Sequence, residues 1–158
     1  MNFQIIKAFE NDVPRIVEMI REFAAFENLS DYCEVTEENL RAAMFDENPS
    51  VEGLMAFNDD KPIGYALFYK NFSSFRGQRG LYLEDLYIIP EYRGQKIGEA
   101  FLAKLAQIAK SRNFVRIDFL VLDWNEPAIK FYKKLGAEMN ADERHFRFVG
   151  EAFEQLSR

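Results

Sequence analysis

Three observations predict one layered α/β or α+β domain. Apolar residues alternate between the two-residue period of strands and the 3.6-residue period of helices, in the order β α α β β β α β α β. No repeat, low-complexity tract or Pro/Gly/Ser-rich linker interrupts the 158 residues, so the domain is expected to run over 1–158. Hydrophobic residues make up 48% of the chain, including 16 Phe and 7 Tyr, enough to close a core without a disulfide or a metal.

Residues 1–7 read as a first short strand. Asn11 and Asp12 suit a helix cap, Pro14 is tolerated in the first turn, and Ile16, Val17, Ile20, Phe23 and Ala24 then recur at helical spacing. Thr36 followed by Glu37 and Glu38 places a cap and two acids at the positive end of a second helix that runs to about Phe45. Residues 54–57 and 63–69 form two apolar runs around a polar Asn-Asp-Asp-Lys-Pro turn, the pattern of a hairpin. Residues 71–80, polar and holding two Gly and two Arg, are expected to be a flexible loop before a strand from Leu81 to Ile89 that Pro90 stops. From Ile97 onward, Phe101, Leu102, Leu105 and Ile108 share one helical face, and Arg112-Asn113 closes that helix. Residues 114–122 are again strand-like, Asn125 and Pro127 start a helix that ends at Gly136, and residues 145–149 read as a final strand.

Composition excludes several function classes. A single cysteine, Cys33, makes no internal disulfide, and the one histidine, His145, supplies neither a zinc cluster nor a histidine-based triad; His145 reads as structural and no metal is expected. No apolar run approaches the roughly 20 residues of a bilayer crossing, and the first residues lack the apolar core of a secretory signal, so a cytoplasmic protein without a membrane partner is expected. The net charge of −6 leans away from nucleic acid and towards cationic partners.

Three segments carry candidate chemistry. Arg93-Gly94-Gln95-Lys96-Ile97-Gly98 joins a strand to a helix. Unpaired amides at a helix start favour an anion, and glycine lets a phosphate approach the backbone; a plain turn with close helix packing fits the same pattern. The segment lacks the Gly-Lys-Ser/Thr ending of a P-loop and the three-glycine spacing of a dinucleotide fold. Glu84 and Asp85 sit side by side in an aromatic strand, where an unpaired carboxylate is costly. Neighbours on a strand face opposite sides, so both acids reach one cleft only across a bulge; edge charges against aggregation are the alternative. Asn125 and Tyr132 lie nearly two turns apart on one helix face, where Tyr132 fits either a core position or a ligand path.

Taken together, Tyr82-Leu83-Glu84-Asp85, Tyr92-Arg93-Gly94 and Trp124-Asn125-Glu126-Pro127 before Phe131-Tyr132-Lys133 resemble the GNAT N-acetyltransferases, and within them the spermidine/spermine and thialysine branch. The resemblance covers essentially the whole chain. It implies a central mixed, mostly antiparallel sheet with helices on both faces, acetyl-CoA as co-substrate and a homodimer. It places the cofactor's pyrophosphate on Arg93, Gly94, Gln95, Lys96, Ile97, Gly98 and Glu99, and its pantetheine arm along the backbone of Leu86, Tyr87 and Ile88, where the strands splay. Asn125, Pro127 and Ala128 are implied as further cofactor contacts.

For catalysis the resemblance implies direct attack of an amine on the thioester, with Glu84 as base through water and Tyr132 as the acid for the departing thiolate. Phe26, Glu27, Glu84 and Asp85 are implied to hold a cationic amine. Two positions depart from the family pattern: Lys96 stands where a glycine is frequent, acceptable if that residue is already helical, and Arg144 stands where an acid helps bind polyamine. A small di- or polyamine is the first expectation. A lysine-like amino acid such as thialysine is second, and a protein lysine, an aminoglycoside or a non-catalytic acyl-CoA-binding module stay open.

Overall fold

The computed structural model describes all 158 residues. Two compact units make up the chain, residues 1–120 and 121–158.

The first unit is built on a five-stranded sheet in the order β1 (Phe3–Lys7), β2 (Glu52–Asn58), β3 (Lys61–Ser73), β4 (Gln78–Ile88) and β5 (Ile117–Asp118). β1 to β4 are antiparallel, and β5 pairs parallel with β4. Helix α1 (Val13–Phe26) buries Val13, Ile16, Val17 and Met19, and helix α3 (Ile97–Ser111) buries Ile97, Phe101, Leu105 and Ala109. Register assigns the two helices to opposite faces. Tyr65 on β3 lies on the α1 side, where Tyr87 meets Phe23 at 5.4 Å between ring centres. Its neighbour Gly64 faces α3, and a Cβ there would stand 2.7 Å from the Tyr87 carbonyl oxygen and 3.3 Å from Phe101. That glycine is what lets α3 lie close on the sheet.

Helix α2 (Glu37–Phe45) starts as its sequence predicts: Thr36 accepts from the Asn39 amide at 3.1 Å, and Asn39 Oδ1 accepts from the Thr36 amide at 2.9 Å. Asp12 caps α1 by position, but its carboxylate accepts the Phe9 amide at 2.7 Å instead of one from the helix. The expected loop over 71–80 is a correction. β3 and β4 run on through it, pairing Asn71 with Gly80 and Ser73 with Gln78 around a tight turn in which Gly77 takes a φ of 62°. The strand expected over 114–122 shrinks to β5, two residues long.

The second unit holds α4 (Glu126–Lys134) and α5 (Gly150–Leu156). Gly136 sits beyond the end of α4 at a φ of 91°, with its amide on the Lys133 carbonyl and the Ala137 amide on that of Tyr132. This is the paired bonding a left-handed glycine permits at a helix end. The final strand expected over 145–149 does not form, and His145, read as structural, is exposed. An alternating run becomes a strand only when a neighbour takes its backbone bonds, and this one has none.

Candidate active site

The strand carrying the acid pair contains one residue too many. β3 pairs Leu67 with Asp85 but Phe68 with Leu83, so Glu84 is the extra residue of a β-bulge. Beyond the bulge the alternation shifts by one. Tyr82 opposite Tyr69, Asp85 opposite Leu67 and Tyr87 opposite Tyr65 therefore share the α1 face, while Leu81, Leu83, Leu86 and Ile88 face α3. Glu84 joins the first set: its charge acts on the Tyr69 and Tyr82 phenols, whose rings stack at 5.0 Å, and pushes both up in addition to their burial.

Glu84 is exposed, whereas Asp85 is half-buried and accepts a 2.9 Å hydrogen bond from the Tyr65 hydroxyl. Desolvation pushes the Asp85 carboxyl up to about 6, with Glu84 and Glu27 adding like charge and the Tyr65 bond opposing them. Glu27, just past α1, is itself raised by desolvation. Arg93 closes this corner. Its guanidinium lies over the rings of Phe26 at 5.0 Å and Tyr87 at 5.4 Å, and its Nε donates to the Ile88 carbonyl at 2.8 Å. Tyr87 in turn donates to Glu22 at 3.2 Å. The first unit thus brings together Phe26, Glu27, Glu84, Asp85, Tyr87 and Arg93.

Next to them runs an open strand edge. β5 meets β4 only at Leu81 and Tyr82, so beyond that point the far edge of β4 has no ladder partner. The Ile89 amide donates to Ile63 on β3. By alternation Tyr87 turns its backbone to β3, and Leu86 and Ile88 turn theirs outward. The turn that follows has Gly94 at a φ of 75° and Lys96, the residue before α3, at 64°. Lys96 is therefore left-handed, not helical as its tolerance was expected to require. No side chain caps α3, and the amides of Ile97, Gly98 and Glu99 have no acceptor within the helix. Outward strand groups ending on bare helix amides fit the extended arm and diphosphate of a coenzyme A thioester.

In the second unit, Asn125 is buried and its Oδ1 accepts the Ala128 amide at 3.3 Å, with Pro127 in the first turn. Tyr132 is half-buried, its ring edge-on to Phe131 at 5.0 Å, and burial pushes its phenol up to about 12.

The family model of the acetyltransferase (GNAT) family matches residues 16–137. The chain belongs to the GNAT acetyltransferases. It is an N-acetyltransferase, of a family that uses acetyl-CoA. It is 41% identical to the thialysine N-epsilon-acetyltransferase of Bos taurus, with 99% of each chain covered. It is 37% identical to the human spermidine/spermine N(1)-acetyltransferase-like protein 1, over 94% of this chain and 23% of that one. Among solved structures, an integron cassette protein from the V. cholerae mobile metagenome superposes with a TM-score of 0.80 at 26% identity, covering 100% of this chain and 99% of that one. The expected mixed, mostly antiparallel sheet flanked by helices is the observed one.

Sequence reasoning passed over two members of this acetyltransferase's acid-lined corner. Tyr65 lies inside the apolar run 63–69 and Glu22 inside the first helix, and neither is singled out by its type or spacing; each acts through a partner far along the chain, Asp85 and Tyr87. The signal for Tyr65 was its place opposite an acid-bearing strand, which becomes readable only once the bulge sets the register. No helix is long and apolar enough to cross a membrane.

Proposed function

We propose that this chain transfers the acetyl group of acetyl-CoA to a primary amine of a small cationic substrate, acting over residues 1–158 as one acetyltransferase domain and as a cytoplasmic homodimer. The observation that carries the substrate class is the bulge at Glu84, which turns Glu84 and Asp85 to one face beside Glu27. Three carboxylates in one corner favour an ammonium group over a neutral or anionic acceptor. A lysine-like amino acid such as thialysine takes first place, supported by relatives of that name at 41% and 42% identity; a di- or polyamine follows, supported by the 37% relative.

In this reading the outward backbone groups of Leu86 and the outward amide of Ile88 hold the cofactor's arm, the Ile88 carbonyl being engaged by Arg93, and the amides of Ile97, Gly98 and Glu99 hold its diphosphate. Arg93 acts on the corner through its side chain, stacked on Phe26 and Tyr87, and on the cofactor only through the backbone of its turn. Asn125, Pro127 and Ala128 add contacts at the start of α4. Acetyl-CoA supplies an activated acyl group on a thiol that leaves readily. Glu84, exposed at the bulge, takes the proton of the ammonium group through water, because an alkylammonium near 10.4 must become a free amine to attack. Asp85 and Glu27 hold the cation, and Phe26 walls the site. Tyr132 gives its phenolic proton to the departing sulfur. Burial keeps that phenol protonated, and the same apolar surroundings would raise the thiol's own affinity for a proton, narrowing the gap between the two.

Release of free CoA is measured with acetyl-CoA and a panel of thialysine, lysine, putrescine, spermidine and spermine. Thialysine is expected to give the highest kcat/KM. Acetyl-CoA binding with no release on any amine would overturn the reading in favour of a regulatory binding module.

A further inference from the structure

Tyr65 is fully buried at the centre of β3, opposite Tyr87 and diagonal to Asp85. A phenol in such a place needs a partner for its hydroxyl, and a phenylalanine would fill the same volume without that need. Its partner here is a carboxylate, at 2.9 Å. The groups around that carboxylate explain why this matters. From β4 comes Glu84 and from the end of α1 comes Glu27, both negative and both opposing the charge of Asp85. Glu22 of α1 is engaged with the Tyr87 hydroxyl and with Arg15. The Arg93 guanidinium lies over Phe26 and Tyr87 and donates to Ile88, and Cys33 acts electrostatically on Tyr65, not on Asp85. Of the groups acting on Asp85, the Tyr65 hydroxyl is the one that favours the carboxylate.

We propose that Tyr65 is a positioning residue for amine recognition: its hydroxyl anchors the Asp85 carboxylate, fixes which oxygen is engaged, and leaves the other directed to the substrate's ammonium group. This rests on the assignment of Asp85 to the amine site. The arrangement divides the labour between two side chains. A carboxylate crowded by like charges would otherwise take up a proton and lose its attraction for a cation, and one donor from the core face prevents this without neutralising the charge, as an arginine would.

The test is Tyr65→Phe, which keeps the ring and removes only the hydroxyl. Losing a donor to the ionised form raises the Asp85 titration, so the variant loses amine affinity most where the medium is acidic. The expected ratio of wild-type to variant kcat/KM for the amine is nearly tenfold at pH 5.5 and shrinks to within about twofold at pH 8.5, with the KM for acetyl-CoA unchanged. A ratio that is the same at every pH assigns Tyr65 to packing alone and overturns the proposal, as does no change at all. The carboxyl titration of Asp85 is followed independently by carbon NMR of labelled aspartate, assigned with Asp85→Asn. It should move upward in Tyr65→Phe, and an unmoved titration overturns the proposal whether or not the enzyme turns over. A wild-type protein that acetylates no amine while this titration still moves would sink the proposed reaction and leave the tyrosine–carboxylate coupling standing.

Discussion

Asp85 holds a carboxyl group in surroundings that disfavour its charge, and that has a consequence for stability as well as for binding. Desolvation and two neighbouring acids raise it from 3.8 to about 6 in the folded chain. A carboxyl raised on folding binds its proton more tightly in the native than in the unfolded state. Its destabilising effect is absent below its unfolded value, grows as pH rises through the window from about 4 to about 6, and is complete above it. The full effect is on the order of 3 kcal/mol, less whatever water reaches the site. Asp85→Asn removes the charge while keeping an oxygen for the Tyr65 hydroxyl. The variant is expected to melt several degrees above wild type at pH 7.5, with the advantage fading towards pH 4, and to lose amine affinity at the same time. Calorimetry at the two pH values checks it; an advantage of equal size at both would mean that packing, not ionisation, is responsible. A binding site that holds a desolvated acid ready for a cation is less stable than a sealed core would be, and Asp85 contributes to that difference.

At the scale of elements, what was legible was what depends on neighbours in sequence. The Thr36 cap, Pro14 early in α1, Pro127 early in α4 and Gly136 after it are local chemistry, and all stand where the sequence placed them. The loop expected over 71–80 and the strand expected over 145–149 failed in opposite directions for one reason. A strand exists by virtue of its partner: Asn71 to Ser73 look like a loop yet are paired by Gly80 to Gln78, and Phe146 to Val149 look like a strand yet are paired by nothing. The bulge was legible only as a condition, that two adjacent acids share a face if the strand gains a residue, and the register supplies it.

The turn before α3 shows the same limit. Its phosphate-binding pattern reads from the glycines, but the left-handed conformation of Lys96 does not, since a lysine there is unfavourable by roughly 1–2 kcal/mol. Lys96→Gly relieves that strain and adds some unfolded-state entropy, for a net gain on the order of 0.5–1 kcal/mol and about 1–4 °C in melting temperature. If the Lys96 ammonium helps hold the cofactor's phosphates, acetyl-CoA affinity should fall about two- to fivefold in the same variant. Thermal melting and isothermal titration together check it. Lower stability would mean that the lysine is making contacts that outweigh its strain.

The molecule as a whole carries a net charge of −6, and its two proposed substrates carry opposite signs. A summed field of this kind acts at distances beyond any single contact: it draws in a cationic amine and repels the phosphates of a coenzyme A thioester. Salt shortens the reach of both effects, from a Debye length of about 14 Å near 50 mM to about 4 Å near 500 mM. The contacts at close range respond much less, because the carboxylates near Asp85 and the amides at the start of α3 act within a few ångströms of their ligands. Raising salt over that range is therefore expected to lower kcat/KM for the amine several-fold while leaving kcat/KM for acetyl-CoA flat or slightly higher. Steady-state kinetics with each substrate varied in turn gives the two slopes. Opposite slopes assign the effect to the field of the whole chain. A parallel fall in both would place the salt-sensitive step at the turn, where Lys96 and the open helix amides meet phosphate, and would make the acidic balance of the sequence irrelevant to how the cofactor arrives.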